Sequence, residues 1–126
     1  MRKGLILGSI ICLSFAACAV PFRGGPSQED MARADFGPPP EDPEETILAW
    51  MNENLKDPIS AKLEILALAE KSWWGYTGAL LQPRNIHYSW LVKARIMAKN
   101  SFGAYEGWKP YNFFFRDGKI VFTQTS

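Results

Sequence analysis

The sequence predicts an α+β domain: one N-terminal amphipathic helix packed on a three- to four-stranded antiparallel sheet that ends in an Asp-Gly hairpin. Three observations point there. EDPEETILAWMNENLKDP combines helix punctuation with apolar residues at helical spacing, YSWLVKARIMAKN alternates with a period of two, and YNFFFRDGKIVFTQTS places two β-rich runs on either side of Asp117-Gly118.

In the helix, Asp42 serves as N-cap, Pro43 takes the first helical position, and Glu45 completes an acidic variant of the capping box. Ile47, Leu48, Met51 and Leu55 then share a face flanked by Trp50, and Asp57 before Pro58 ends the helix near Lys56. The next segment, ISAKLEILALAEKSWW, suits either a strand or a helix and is read as a strand from Leu63 to Glu70, followed by the loop SWWGYTG. Further on, Trp90, Val92, Ala94 and Ile96 fall on one face of a strand, with Leu91, Lys93, Arg95 and Met97 on the other. Tyr111 to Arg116 and Lys119 to Thr123 form the final pair, because aspartate and glycine both tolerate the positive φ of a type I′ turn.

Ahead of this domain, MRKGLILGSIICLSFAACAV has the basic, apolar and small-residue zones of a secretory signal peptide. The apolar run gives way to Pro21, Arg23 and Gly24, which makes it short for a membrane span of about 20 residues. Ala17-Cys18-Ala19 fits an ordinary small-x-small cleavage site, while Phe15-Ala16-Ala17-Cys18 resembles the lipobox of bacterial lipoproteins. That resemblance implies a signal peptide over residues 1–17 and an acylated Cys18. The cysteine arithmetic agrees, since the only other cysteine, Cys12, would leave with the signal peptide and no intramolecular disulfide would form. Two or more acyl chains suffice for stable anchoring. Ala19, standing where an aspartate would signal inner-membrane retention in many such lipoproteins, implies the outer membrane, facing the periplasm.

Residues 18–41 read as an acidic tether, rich in proline at Pro21, Pro26, Pro38, Pro39 and Pro40, with too little apolar surface to offset its ordering entropy. The domain proper is expected over residues 42–126, drawing its core from Trp50, Trp73, Trp74, Trp90, Trp108 and the run Phe113-Phe114-Phe115. From Cys18 to Glu45 seven acids face two arginines, and from Thr46 onward ten Lys or Arg face six acids, so a net charge of +1 conceals −5 and +4 beside the +2 of the signal peptide. That basic excess is small for a nucleic-acid binder, and export removes the chain from nucleic acid. It reads as a solvated surface, with anionic envelope polymers or lipid headgroups as the alternative.

The stretches LKDPISAK (Leu55 to Lys62) and AKNSFGAYEGWKP (Ala98 to Pro110) resemble those of a group of small, uncharacterised bacterial envelope lipoproteins. Members share Leu-Lys-Asp-Pro-x-Ser-Ala-Lys after a first helix and Lys-Asn-x-x-Gly-x-Tyr-x-Gly before an aromatic strand. Here the second stretch is carried by Lys99, Asn100, Gly103, Tyr105 and Gly107. Relatives often have a cysteine in the preceding strand that this chain lacks, so no disulfide is implied. The resemblance carries architecture and location but no reaction.

Two stretches are candidates for contact with a ligand or partner. In the loop Asn100 to Trp108, Asn100, Gly103 and Gly107 supply turn geometry, and Lys99, Tyr105, Glu106, Trp108 and Lys109 are the side chains it can present. Trp73, Trp74 and Tyr76 could form an aromatic platform for glycan or peptide, or could instead be core. Asp57 and Ser60 suit a cap on the turn after the helix. No catalytic residue, cofactor or metal site is expected: His87 is the only histidine, no cysteine remains in the domain, and there is no Gly-x-Ser-x-Gly elbow, phosphate-binding glycine loop or His-Glu-x-x-His pair. The expected function is that of a lipid-anchored envelope protein with a non-catalytic binding or scaffolding domain, its partners the membrane and an envelope protein or peptidoglycan. A carbohydrate- or peptidoglycan-binding module is the alternative, and a hydrolase of unfamiliar type the third reading.

Overall fold

The structure is a computed structural model and describes residues 25–76 and 85–125; the signal segment and Cys18 lie outside them. Two helices, α1 (Gln28–Arg33) and α2 (Pro43–Asn54), accompany five strands: β1 (Lys62–Ile65), β2 (Glu70–Tyr76), β3 (Asn85–Lys99), β4 (Tyr105–Arg116) and β5 (Lys119–Thr125). The class is α+β with an antiparallel sheet. β3 is central, with β4 and then β5 on one side. On its other side β1 pairs with Ala94–Met97 and β2 with Asn85–Leu91, so β1 and β2 are two halves of one interrupted edge.

This interruption corrects the expected strand from Leu63 to Glu70. Ile65 opposes Ala94 and Glu70 opposes Leu91, so four residues, 66–69, stand against Val92 and Lys93 alone and the surplus is extruded. SWWGY, expected as a loop, is strand β2. Its glycine is required by close approach: a Cβ on Gly75 would lie 1.9 Å from the Asn85 carbonyl oxygen, and φ there is +132°. β4 meets β5 through Asp117 and Gly118, with φ of 53° and 77°.

α2 begins where its caps dictate. The Asp42 carboxylate accepts the Glu45 N–H at 3.1 Å, and Pro43 gives up a hydrogen bond the first turn would not have made. The helix stops at Asn54, two residues short of the expected Lys56, with the Leu55 N–H donating to the Met51 carbonyl at 2.9 Å. Ile47 and Met51, one helical turn apart, are buried against Val92, Ala94, Ile96, Phe113 and Phe115. Trp50 adds edge-on contacts to Tyr111 and Phe113, whereas Leu48, expected on the buried face, is 44% exposed. The stripe centres on 47, 50 and 51, and Leu48 lies about 100° away from Ile47 around the helix.

The expected tether is partly ordered. Ser27 and Asp30 form a reciprocal capping box that starts α1, and beyond it Phe36 is buried edge-on against Tyr88 and Trp90. The Trp90 indole N–H donates to the Gly37 carbonyl at 3.0 Å, Arg116 donates to the Asp35 carbonyl, and Arg116 meets the Asp35 carboxylate at 3.4 Å. Composition made this segment look solvated, yet a single aromatic side chain with two polar clasps is enough to dock three residues. Phe36 therefore extends the helix-side core over the half of β3 that α2 does not reach.

Phe36→Ala is expected to lower the stability of the protein by about 3 kcal/mol, the cost of truncating a buried phenylalanine. Urea unfolding checks it, and a change below about 0.5 kcal/mol would return the segment to solvent.

Candidate functional site

The two sequence stretches that stand out as motifs meet at one end of the sheet. After α2, residues 57–60 form a turn in which the Ser60 hydroxyl donates to the Asp57 carboxylate at 2.6 Å. Between β3 and β4, the Asn100 side-chain oxygen accepts the N–H groups of Phe102 and Ala104 at 2.9 and 3.1 Å, and Gly103 takes φ +82°. The turn itself spans only residues 100–104, because Tyr105 already belongs to β4; the rest of the expected connection, to Trp108, is strand. Gly107, at φ +93°, sits where three steps of β4 (Trp108 to Tyr105) oppose two of β3 (Met97 to Lys99), a bulge that only an unbranched backbone accepts readily.

Contacts between these turns are direct. The Tyr105 hydroxyl donates to the Ser60 carbonyl at 2.9 Å, and the Lys56 ammonium reaches the Ser101 hydroxyl at 3.4 Å. Lys62 and Lys99 each stand 5.3 Å from the centre of the Tyr105 ring. The hydrogen bond from Ser60, and less so the charge of Lys99, holds the Asp57 carboxyl below its ordinary range. Glu106 bridges to Lys109 at 3.1 Å, and both line a cleft of about 280 Å³ with Asn54, Lys56, Lys99 and Asn100. Five of the candidate residues are thus placed as follows: Lys99, Tyr105, Glu106 and Lys109 surround these turns, while Trp108 lies under Arg95 at 4.5 Å on the sheet face that α2 leaves open.

That open face carries a second feature. Along it Glu64 pairs with Arg95 at 2.6 Å and Glu70 with Lys93 at 3.4 Å, and beyond these pairs it becomes apolar. Trp74 stacks on His87 with ring centres 4.1 Å apart and on Phe122 at 4.7 Å, beside Leu91 and Phe114, in a groove of about 620 Å³. Among the described residues the indole N–H of Trp74 and the wholly buried hydroxyl of Ser89 have no hydrogen-bond partner, an arrangement costly in a dry interior. Being adjacent in a strand, Trp73 and Trp74 face opposite sides and do not make one platform: Trp73 lies against Gly25. Tyr76 pairs with Asn85 at the end of the ladder.

Leu91, Phe114, Phe122 and Ser89 escaped the sequence reading of the site, though a signal existed. Three consecutive phenylalanines in a strand must send the middle one to the face opposite its neighbours. Phe113 and Phe115 meet α2, so Phe114 had to be apolar on the other face. Glu106 and Asp117, the two carboxylates beside glycines, sit near opposite ends of β4 and form no pair with each other. Among the described residues no group of three or more His, Cys, Asp and Glu side chains converges on a metal position. No family model, curated protein or solved structure matches the chain.

Because nothing lies within 4 Å of a Cβ built at Gly103 or Gly107, the cost of adding one is conformational alone. Gly103→Ala and Gly107→Ala should each lose about 1 kcal/mol or more, and Glu106→Ala no more than about 0.5 kcal/mol, by chemical denaturation. The depressed Asp57 carboxyl contributes stability above its unfolded pKa, and that contribution disappears as pH falls through the folded value. Ser60→Ala should move the Asp57 titration, followed by carboxyl NMR, upward toward the ordinary aspartate value.

Proposed function

We propose that the protein is a lipid-anchored component of a bacterial envelope whose small α+β domain binds a partner without catalysing a reaction. The observation that carries the binding part is the open sheet face. An aromatic groove formed by Trp74, Phe114 and Phe122 remains in contact with solvent, and the polar side chains of Ser72, Asn112 and Gln124 line it. An apolar groove with a few polar groups is the usual form of a recognition site. A partner that inserts an apolar side chain and offers one hydrogen-bond acceptor would satisfy both features. The anchor rests on Cys18 and the lipobox resemblance, and with it the outer-membrane, periplasm-facing address.

A glycan partner is the competing occupant. Aromatic residues recognise sugars through free ring faces, and Trp74 already stacks on His87 and Phe122 while Trp108 is covered by Arg95. This favours a protein or peptide partner over peptidoglycan.

A photo-crosslinking residue at Phe122 is expected to trap a discrete protein partner in cells, with the adduct lost in Trp74→Ala. Retention on insoluble peptidoglycan that is lost in the same variant would instead select the glycan reading. Neither adduct nor retention removes the binding function. Cys18→Ser should release the processed protein from the detergent phase, and continued partitioning would refute the lipid anchor.

A further inference from the structure

The end of the domain formed by the two touching turns displays apolar side chains where a folded protein ordinarily would not. Ile59, on the turn after α2, is 96% exposed, and Phe102, on the turn between β3 and β4, is 94% exposed. These tips belong to turns that the Tyr105–Ser60 and Lys56–Ser101 hydrogen bonds hold together, so they project from one supported platform. The aromatic ring of Tyr105 lies behind them, 43% exposed, with its hydroxyl bonded.

The charge around the tips has one sign in excess. Residues 56–62 and 99–109 contain Lys56, Lys62, Lys99 and Lys109 against Asp57 and Glu106, four positive charges to two negative. Both acids are engaged, Asp57 by Ser60 and Glu106 by Lys109. The other end of the sheet is the opposite: the Asp117-Gly118 turn lies beside Glu41, Asp42 and Glu45 at the start of α2. Charge is therefore polarised along the strands, basic at the apolar tips and acidic at the far end.

We infer that this end docks on the surface of an anionic phospholipid bilayer, with Ile59 and Phe102 entering the interface and Lys56, Lys62 and Lys99 facing headgroup phosphates. Exposed apolar tips gain by leaving water at the headgroup boundary, and lysines near an anionic leaflet each add attraction. The acidic opposite end would be repelled by the same surface, which fixes the polarity of approach. A protein partner would meet the aromatic groove on the open face, so the two surfaces can be occupied together. The inference does not depend on acylation of Cys18, and because Gly25 lies against Trp73 at the far end of β3, the bilayer met by the tips is a different surface from the one that would hold Cys18.

The test uses the full chain with Cys12→Ser and Cys18→Ser, so that no lipid can be attached. An environment-sensitive fluorophore is placed through Phe102→Cys or, at the far end, through Lys119→Cys. Vesicles of phosphatidylethanolamine with phosphatidylglycerol should blue-shift the label at position 102 and not at 119, and phosphatidylcholine vesicles should shift neither. Lys56→Gln and Lys99→Gln should each weaken partitioning about five-fold. Ile59→Ser should weaken it further without altering the thermal unfolding midpoint. No shift at position 102, an equal shift at 119, or equal binding to neutral vesicles overturns the proposal. Because these chains carry no acyl group, such a failure would leave the detergent-partitioning result for Cys18 standing.

Discussion

The pairing of β3 with β4 is the constraint on which the other elements depend. The register sets Trp90 against Phe115, Val92 against Phe113 and Ala94 against Tyr111, and those residues form the surface that α2 covers. A slip by one residue would turn Lys93 and Arg95 toward Ile47 and Met51 and expose the core residues, so the register is held by burial as well as by backbone hydrogen bonds. The same ladder fixes where the two end turns stand, because the bulge at Gly107 carries β4 past β3 to the pairing of Lys99 with Tyr105.

The two faces of this sheet solve different problems. One is closed by α2 and by Phe36, the latter clasped through Trp90 and Arg116 from a segment whose composition is that of a linker. Among the described residues no helix covers the other face. Its polar half is neutralised by the Glu64–Arg95 and Glu70–Lys93 pairs, and in its apolar half Trp74, His87 and Phe122 stack on one another. The groove around Trp74 is the apolar stretch of this face on which the proposed partner would sit.

The charged groups of the described residues serve mainly local order. Glu106, beside Gly107, is paired with Lys109, and the lowered Asp57 carboxyl is explained by the turn it stabilises. Such interactions order turns and faces; surface pairs of this kind contribute little to stability individually. Their effect is to position Tyr105, Lys99 and the neighbouring turn relative to one another.

Periodicity and punctuation alone determined the α+β class, the capped start of α2, the facing of β3 and the turn-forming role of Gly103, because each is a local property of a few consecutive residues. What the sequence could not settle depended on residues brought from far along the chain. The extrusion of residues 66–69 follows from how many positions β3 offers its edge partner, and Gly75 is in a strand because the Asn85 backbone approaches it. Phe36 left the tether for the core because Tyr88 and Trp90, more than fifty positions away, leave a place for it. Similarly, LKDPISAK and AKNSFGAYEGWKP each read as isolated turns, and only the fold, through two hydrogen bonds that each join residues 45 positions apart, made them one surface. Local chemistry selects the conformations a segment accepts, while the packing of distant segments decides which side chains are left facing water.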